Sequence, residues 1–397
     1  MIQIQDKRLC TGCGACSIAC PVNAIELRAD QEGFEYPFID KSKCIGCGKC
    51  EKVCHMQQKR ERNEKAEYYA GYLKRLELLE TVSSGGAAWA LTVSILNRGG
   101  IVYGAVQERI DLVRHMRAET VEKAQKFRRS KYLPSNMGNC YKDVKSDLDL
   151  GKEVLFTGTA CQIAGLYAYL KTDYANLYTC DVICHGIPSM KVFRKYKEEA
   201  EKKYKAKIEN IVFRDKSFGW NRNHYRIQLN DGRTIYESSR TQLFHSGYLQ
   251  GVFYRPSCGN CKYACLPRTS DITLADFWKY EGKLKEKNEN KGISLIICNS
   301  KKGKQLFEQA AGNMVVEKST EEEACRSCRH LTKTPVENKK RQKFFQLLDR
   351  KGYRHAVRMC MPKRMILYDI IERIRSKVDG CKKYAKRNYF KNKEYKG

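Results

Sequence analysis

The sequence lacks any long apolar run. No stretch approaches the roughly eighteen consecutive apolar residues that a membrane-spanning helix needs. The N-terminal segment MIQIQD contains no apolar core of the kind that a secretory signal carries. We therefore expect a cytoplasmic protein. With 397 residues, the chain is long enough for about two or three domains and a sizeable core.

Acidic residues are also scarce. The chain has 45 Asp and Glu residues against 75 Lys and Arg residues, which gives a formal net charge of +30. Such an excess favours anionic partners, which include a phosphorylated cofactor, an acidic electron carrier and anionic lipid. A solvated basic surface explains most of the individual lysines. Nucleic-acid binding is not expected, because no recognised nucleic-acid-binding module accompanies the charge.

Cysteine, in contrast, is abundant, with 20 residues. Because cytosolic thiols stay reduced, clustered cysteines in a long chain without a signal indicate metal binding rather than disulfides. Two copies of one motif stand out, CTGCGACSIAC at residues 10–20 and CIGCGKCEKVC at residues 44–54. Each cysteine of the second copy lies 34 residues after its counterpart, and a Gly-Cys-Gly triplet repeats with it. The chain therefore contains an internal duplication.

The spacing of this motif suits an iron–sulfur cubane. Three cysteines at gaps of two residues can wrap one loop around a cluster, and the glycines let backbone N–H groups approach the sulfides. The fourth cysteine, followed by Pro21 in the first copy, reaches the other cluster in two-cluster ferredoxins. One cluster is therefore expected to bind to Cys10, Cys13, Cys16 and Cys54, and the other to Cys44, Cys47, Cys50 and Cys20.

Zinc is the alternative metal, but zinc sites pair two CxxC hooks and need no trailing cysteine. Residues 1–57 thus resemble a bacterial-type ferredoxin domain with two [4Fe–4S] clusters, although His55 stands where a second proline is common. The segment between the motifs predicts a hairpin that turns near Gly33. Residues 58–67 are mostly polar and predict a linker. Two clusters on a tether imply an electron relay with a redox partner protein.

Residues 68–335 predict a larger domain in which strands and helices alternate. This alternation favours a mostly parallel sheet covered by helices. The segment HYRIQLNDGRTIYESS adds a hairpin that turns at Asp231 and Gly232. The predicted fold class is α/β, or α+β overall: a small ferredoxin-like domain, then a larger mixed α/β domain, then a C-terminal tail.

Residues 336–397 form the predicted tail, which is helical and basic. Apolar residues between Ile366 and Val378 keep a helical spacing. A basic amphipathic helix of this kind can dock on an acidic partner, fold back on the core, or lie on an anionic membrane at its inner face.

Two predicted strand-to-helix turns consist of small residues, at positions 83–86 (SSGG) and 157–160 (TGTA). Such turns let a phosphate or a flavin approach backbone N–H groups at the start of a helix. Neither turn carries the GxGxxG or GxxxxGK(S/T) pattern, so plain tight turns are the alternative.

Six strings occur in order between residues 82 and 278: VSSGG, RSKYLPS, VLFTGTACQIAGL, CDVICHGIPS, FRDKSFGW and SCGNCKYACLPRTSDITLADFW. Together they resemble the beta-subunit family of coenzyme F420 hydrogenases and dehydrogenases. The resemblance implies an FAD-containing domain with its own [4Fe–4S] cluster. It implies electron transfer between iron–sulfur carriers and a hydride-accepting coenzyme, which is the deazaflavin F420 in archaeal members. Bacterial members with a fused ferredoxin look similar, and some of them sit among surface-polysaccharide functions.

The resemblance also implies the ligands of the third cluster, which are Cys161, Cys184, Cys258 and Cys261. Cys265 is the substitute candidate, and Ala160 replaces the proline that the family usually has before the first of these cysteines. Buried core thiols are the alternative interpretation. Cys325 and Cys328 form a CxxC beside His330. This CxxC could have a zinc or redox role, or its spacing could be incidental and without function. The remaining cysteines are interpreted as core or surface residues: Cys140, Cys180, Cys298, Cys360 and Cys381.

A flavin is expected on chemical grounds as well, because it converts between one-electron and two-electron transfer. The predicted FAD contacts are Ser84, Gly85, Gly86, Ser130, Lys131, Tyr132, Thr157, Gly158 and Thr159. Lys131 and His185 are candidates for a catalytic role, against ordinary surface and structural roles. Asp271 and Asp276 could line a substrate cleft or, instead, cap turns around the cluster loop. The other candidates to line the cleft are Arg214, Asp215, Lys216, Trp220, Arg268 and Trp278.

Two functions from different classes remain open at this point. The first is an enzyme that exchanges electrons between its clusters and a hydride-carrying coenzyme, either F420-like or nicotinamide. The second is an electron-transfer subunit that wires the active site of a partner and has no substrate of its own.

Overall fold

The computed structural model describes residues 2–57, 65–222, 224–238 and 242–361. Most of the predicted linker (58–64) and the predicted basic helix after residue 362 lie outside the described residues. Within the described ranges, no helix is both long enough and apolar enough to cross a membrane.

The ferredoxin-like segment shows its duplication in three dimensions. Two short helices, α1 (Ala15–Ile18) and α2 (Lys49–Lys52), begin directly after Gly14 and Gly48. Both glycines have left-handed backbone angles, with φ of +78° and +67°. Residues with a side chain adopt this conformation only at a cost in free energy. Between them, β1 (Ile25–Ala29) pairs antiparallel with β2 (Glu35–Ile39). The predicted hairpin is therefore confirmed.

The larger part of the chain contains the remaining strands and helices. The strands are β3 (Glu67–Leu73), β4 (Ile101–Arg109), β5 (Leu112–Ala118), β6 (Ser135–Asn136), β7 (Val154–Thr159), β8 (Leu177–Val182), β9 (Ile208–Asp215), β10 (His224–Leu229), β11 (Thr234–Ser238), β12 (Ile272–Asp276), β13 (Ser294–Cys298) and β14 (Met314–Ser319). The helices are α3 (Leu76–Leu79), α4 (Ala87–Asn97), α5 (Val121–Ala124), α6 (Cys140–Asp149), α7 (Ala160–Leu170), α8 (Met190–Tyr204), α9 (Leu243–Leu249), α10 (Pro256–Gly259), α11 (Leu284–Lys287), α12 (Lys301–Ala311), α13 (Glu321–Ser327), α14 (Arg341–Lys351) and α15 (Tyr353–Cys360).

In the part of the chain that the structure describes, nine strands form one sheet in the order β14-β3-β13-β12-β8-β7-β4-β5-β6. Strands β4, β7, β8 and β12 run parallel, as the alternation of strands and helices predicts. Strands β3, β13 and β14 pair antiparallel on one side, and β5 pairs antiparallel with β4 on the other. The expectation of a mostly parallel sheet was therefore wrong. The physical reason is that hydrophobic periodicity marks a strand but does not fix its direction.

The two faces of the sheet bury different cores. On β4 and β7, Val102 and Leu155 point into a core with α4 and α12, whereas Tyr103 and Phe156 point into a core with α6 and α7. This alternation follows from the two-residue period of a strand. The ferredoxin-like segment packs on the α6 and α7 side, where Ala15 of α1 is buried.

A second sheet, with the order β11-β10-β9, is antiparallel and includes the hairpin predicted at Asp231 and Gly232. It shares a core with α8, α9, α14 and α15. Phe34, from the turn of the ferredoxin hairpin, is buried in the same core. Residues 341–360, which lie in the predicted tail, therefore belong to the packed body of the protein.

Candidate functional site

The first predicted ligand group is drawn together by the α1 loop and the end of α2. Burial and the nearby thiols of Cys10 and Cys54 raise the pKa of Cys16 to about 12. Burial and the nearby thiols of Cys16, Cys10 and Cys161 also raise the pKa of the Cys13 thiol. Thiols that raise one another's pKa in this way need a positive centre between them before they can ionise together.

The second predicted group surrounds one small cavity. Its lining contains the thiols of Cys20, Cys44, Cys47 and Cys50. Apolar side chains close it, among them Ile25 and Ile39 of the hairpin. Backbone N–H groups point at two of the sulfurs, from Ile2 to Cys50 at 3.4 Å and from Ala24 to Cys20 at 3.2 Å. The structure thus places Cys20 of the first motif with the three leading cysteines of the second.

The donor sets fit a cluster better than a lone ion. Over the described ranges, no three His, Cys, Asp or Glu side chains converge closely enough to hold a single metal ion. A zinc ion needs all its sulfurs about 2.3 Å from one point. Four thiols around a cavity, with N–H groups aimed at sulfur, suit the larger iron–sulfur cubane.

The third predicted group converges from three separate places in the chain. A single cavity is lined by Cys161 at the start of α7, Cys184 after β8, Cys258 in α10, and Cys261. Burial, with further thiols beside it, raises the pKa of Cys184 to about 12. Burial also raises the pKa of Cys161 to about 11, although the Thr159 hydroxyl at 3.2 Å opposes this.

Backbone N–H groups approach the sulfurs here as well. Gly186 donates to Cys184 and Ile187 donates to Cys258, each at 3.3 Å. Cys265, the substitute candidate, is exposed, and its thiol contacts the carbonyl of Lys262 at 3.2 Å. It is not among the residues that line the cavity.

One residue at this cavity was not predicted from the sequence. His330 lines it, with its ring 4.4 Å from the ring of His185. His185 is mostly buried, which lowers its pKa to about 4, and His330 adds to that effect. The position of His330 beside a CxxC was the only local signal. Its CxxC neighbour Cys328 is buried in the main core, where its thiol contacts the carbonyl of Asp276 at 3.4 Å.

A buried ion pair supports the third cavity from one side. The guanidinium of Arg268 binds to the carboxylate of Asp181 and also donates to the carbonyl of Tyr263. Asp271, in contrast, accepts hydrogen bonds from the backbone and hydroxyl of Thr179 and from Ser300. Asp271 therefore joins β8 to the start of α12, which is the turn-capping role.

The first predicted flavin turn packs directly on the sheet. A β-carbon on Gly85 would lie 2.2 Å from the carbonyl oxygen of Gly71 in β3, so only glycine fits there. Gly86 has a φ of +81° and begins α4. Ser84 donates its hydroxyl hydrogen to the carbonyl of Ile293 at 2.7 Å. Together these contacts fix the turn against two neighbouring strands.

Residues 127–132 lie between the two predicted flavin turns. Ser130 hydrogen-bonds to Ser83 of the first turn at 2.9 Å. On the other side, a β-carbon on Gly104 would touch both the ring of Phe127 and the hydroxyl of Thr157. Lys131 donates to the carbonyls of residues 126, 127 and 128 at 2.8–3.0 Å, and burial lowers its pKa to about 7.

His115 contacts the second predicted flavin turn, residues 157–160, which the structure forms from the end of β7 and the start of α7. Its Nε2 donates to the carbonyl of Thr157 at 2.9 Å, and its ring stacks on Phe156. Burial lowers the pKa of His115 to about 4, so the ring is neutral near pH 7. Thr159 and Gln162 form a reciprocal capping box at the start of α7, and Gly158 lies between Thr157 and Thr159.

Several predicted cleft residues meet at Asp276, at the end of β12. Arg214 pairs with its carboxylate at 2.8 Å, and the indole N–H of Trp220 donates to it at 2.8 Å. Burial alone would raise the pKa of Asp276, but Arg214 and Trp220 lower it overall. Trp278 stacks on Trp220 with ring centres 4.3 Å apart, and 41% of its surface is exposed. The guanidinium of Arg214 also lies over the ring of Trp278, 4.9 Å from its centre, so a partly exposed indole adjoins a partly buried ion pair.

This group adjoins the predicted flavin contacts. Tyr132 lies 3.4 Å from a guanidinium nitrogen of Arg214. Lys216 donates to the carbonyls of Leu79 and Ser84, and burial lowers its pKa to about 7. Asp215 turns away and pairs with Arg226. The structure thus brings Arg214, Lys216, Trp220, Asp276 and Trp278 beside the first flavin turn, and leaves Asp215 and Asp271 in structural contacts.

Two known protein families match separate parts of the chain. Residues 9–57 match the family described as "4Fe-4S dicluster domain". Residues 151–324 match the family described as the C terminus of the coenzyme F420 hydrogenase/dehydrogenase beta subunit. No curated protein matches the chain.

One similar solved chain belongs to a structure described as "Xenon derivatization of the F420-reducing [NiFe] hydrogenase complex from Methanosarcina barkeri". It is 18% identical, with a TM-score of 0.45, and the match covers 72% of this chain and 92% of that chain. The two matches show that the chain carries a 4Fe-4S dicluster domain at residues 9–57 and, at residues 151–324, a domain that matches the C terminus of the coenzyme F420 hydrogenase/dehydrogenase beta subunit.

Proposed function

We propose that this protein is an iron–sulfur flavoprotein oxidoreductase that passes electrons between its [4Fe–4S] clusters and FAD, to or from a hydride-carrying coenzyme. One observation carries the proposal. The cavity that gathers the four cysteines of the larger domain is also lined by Thr11 and Met56 of the ferredoxin-like segment. The proposed third centre would therefore lie directly against the loops that carry Cys10 and Cys54, two proposed ligands of the first cluster.

Two side chains, His55 and Tyr263, link the ferredoxin-like segment to the third cavity. His55 follows Cys54, and its ring hydrogen-bonds to Thr11 and to the phenol of Tyr263. Tyr263 follows Cys261 by two residues and also lines the third cavity. Burial lowers the pKa of His55 to about 3, so this contact is made by a neutral ring. The contact holds the two cysteine loops at a fixed separation.

The third centre in turn adjoins the proposed flavin turn. The hydroxyl of Thr159 lies 3.2 Å from the sulfur of Cys161, while Thr157 and Gly158 precede it at the end of β7. Bound FAD would supply the conversion between one-electron and two-electron transfer. The residues proposed to hold it are those of the two turns and of the segment between them, Ser84, Gly85, Gly86, Ser130, Lys131, Tyr132, Thr157, Gly158 and Thr159.

The proposed coenzyme site is the exposed part of the Trp278 indole. Stacked aromatic rings bind planar heterocycles, and the Arg214–Asp276 pair beneath fixes the indoles in place. Lys216 lies beside the same turn, and its ammonium group donates to the carbonyls of Leu79, Ser84 and Lys291, so it holds the turn in place.

The test is anaerobic purification of the full chain with counts of iron, sulfide and flavin. About twelve irons and about one flavin per chain support the proposal. About eight irons, or the absence of flavin, would contradict the third cluster or the hydride step respectively. Oxidation of F420H2 and of NAD(P)H with a viologen dye then identifies the coenzyme.

A second candidate is an electron-transfer subunit without its own substrate. It is favoured by Lys131, whose ammonium group donates to three carbonyls of its own loop rather than facing a ligand. Flavin-loaded protein that shows no turnover with either coenzyme, but regains it when a partner subunit is added, would establish this alternative.

A further inference from the structure

Arg255 lies between the ferredoxin-like segment and the third cysteine cavity. It is only 4% exposed and directly precedes α10. Its guanidinium donates to the carbonyl of Cys10 at 2.7 Å, to the sulfur of Cys10 at 3.4 Å, and to the carbonyl of Glu35 at 2.8 Å. A β-carbon on Gly12 would lie 2.8 Å from the same guanidinium, so the repeated glycine makes room for it.

The charge of Arg255 has no carboxylate directly paired with it among the residues that the structure describes. The ring of Tyr36, 4.3 Å away, provides a partial cation–π contact. Arg341, which is similarly buried, differs in that both its terminal nitrogens bind to the carboxylate of Glu32. A buried cation without an anion is strongly unfavourable. Two groups can supply negative charge near Arg255: the carboxylate of Glu35, whose pKa burial raises and Arg255 lowers, and the sulfur of Cys10, which lies within hydrogen-bond distance of the guanidinium.

Arg255 also contacts the third centre through its backbone. Its N–H donates to the carbonyl of Ile187 at 2.9 Å, and its own carbonyl accepts from the N–H of Cys258 at 2.9 Å. The N–H of Ile187 in turn points at the sulfur of Cys258. One residue therefore touches a proposed ligand of the first cluster with its side chain and a proposed ligand of the third with its main chain.

We propose that Arg255 sets the reduction potential of the cluster held by Cys10, Cys13, Cys16 and Cys54, and raises it above that of the cluster held by Cys20, Cys44, Cys47 and Cys50. This inference rests on the proposed ligand groups. Reduction adds one negative charge to a cluster, and a fixed cation in a low-dielectric site stabilises the added charge. The contacts to sulfur in the second group come instead from the backbone of Ile2 and Ala24. Arg255 thus makes the cluster nearer the third centre the easier one to reduce.

The experiment is potentiometry followed by EPR on the anaerobic full chain, with Arg255→Gln, Arg255→Lys and the matched control Arg341→Gln. Arg255→Gln should favour the oxidised form of one cluster by at least tenfold, a shift of about 59 mV to lower potential for one electron. Arg255→Lys should recover part of that shift, and Arg341→Gln should leave the potentials unchanged. Equal effects of Arg255→Gln and Arg341→Gln, or no shift in Arg255→Gln, would overturn the proposal.

A second measurement covers the case in which Arg255→Gln does not fold. The wild-type protein, labelled with 15N-arginine and reduced, should show a 15N coupling in pulsed EPR that is absent from Arg255→Lys. Absence of this coupling in the wild type overturns the role of Arg255. Iron and sulfide counts separate the two levels of argument: normal counts with unchanged potentials reject Arg255 alone, whereas missing clusters reject the proposed function with it.

Discussion

Gly165 of α7 lies so close to Cys13 that a β-carbon on the glycine would be 3.0 Å from the cysteine sulfur. The same β-carbon would be 3.0 Å from the hydroxyl of Tyr141. A proposed cluster ligand therefore packs directly against a helix of the larger domain. The ferredoxin-like segment is part of the folded body and not a freely tethered module.

Replacing Gly165 by alanine should weaken this interface. Overpacking of a close contact typically costs about 1–3 kcal/mol of unfolding free energy. Gly312→Ala, at the end of α12, is the matched control, because a β-carbon there meets nothing within 4 Å. Urea denaturation under anaerobic conditions measures both variants. Equal stability of the two would contradict the close packing of Cys13 on α7.

The buried pair of Arg268 and Asp181 should be essential for stability. Their side chains are 3% and 0% exposed, so Arg268→Ala leaves a buried carboxylate without its cation. The expected loss is about 3–5 kcal/mol of unfolding free energy. The exposed pair of Arg75 and Glu77 is the control, since Arg75→Ala should cost no more than about 1 kcal/mol. A small loss of unfolding free energy in Arg268→Ala would show that water reaches the Asp181 carboxylate more readily than its burial indicates.

The third cluster should depend on Cys184 and not on Cys265. Cys184 lines the cavity, whereas Cys265 is exposed and outside it. Cys184→Ser should therefore lose up to about four irons per chain, while Cys265→Ser should retain the wild-type count. Colorimetric iron and sulfide assays on anaerobic samples decide this. The reverse result would move the fourth ligand to Cys265.

Acid should destabilise the protein through its buried histidines, and His245 gives a clean test. Burial, with Arg214 nearby, lowers its folded pKa to about 3 from the ordinary histidine value of 6.5. Between these two values the unfolded chain binds a proton that the folded chain excludes, so stability is complete above pH 6.5 and falls as the pH drops.

His245→Gln should make this dependence shallower by up to about 1.4 kcal/mol per pH unit. Urea titrations between pH 7 and about 4.5 measure the slope. His355, which is exposed, provides the control variant His355→Gln, whose slope should match that of the wild type. An unchanged slope in His245→Gln would mean that His245 is protonated inside the fold.

Features that depend on local chemistry and spacing could be predicted from the sequence. The duplicated motif predicted a dicluster segment, which the family match confirms, and the hairpin between its copies is present. Strands and helices of the body were also predicted, because their apolar periodicity is visible within a few residues. Sheet direction was not, and neither was the inclusion of residues 341–360 in the second core.

The residues that the sequence missed are single side chains without a pattern around them. Nothing near Arg255 marks a cation that meets Cys10, 245 positions away. His330 was visible only as a neighbour of a CxxC, and its place at the third cavity comes from the packing of two distant loops. Glu32 and Arg341 likewise pair across 309 positions.

The sequence by itself determined the duplicated cysteine motif and predicted how its two copies share ligands, because ligand spacing follows from the size of a cluster. The tertiary structure alone decided where those sets meet, which cation faces them, and which strands reverse direction. These features arise from many weak contacts between distant segments, each too small to impose a recognisable local pattern on the chain.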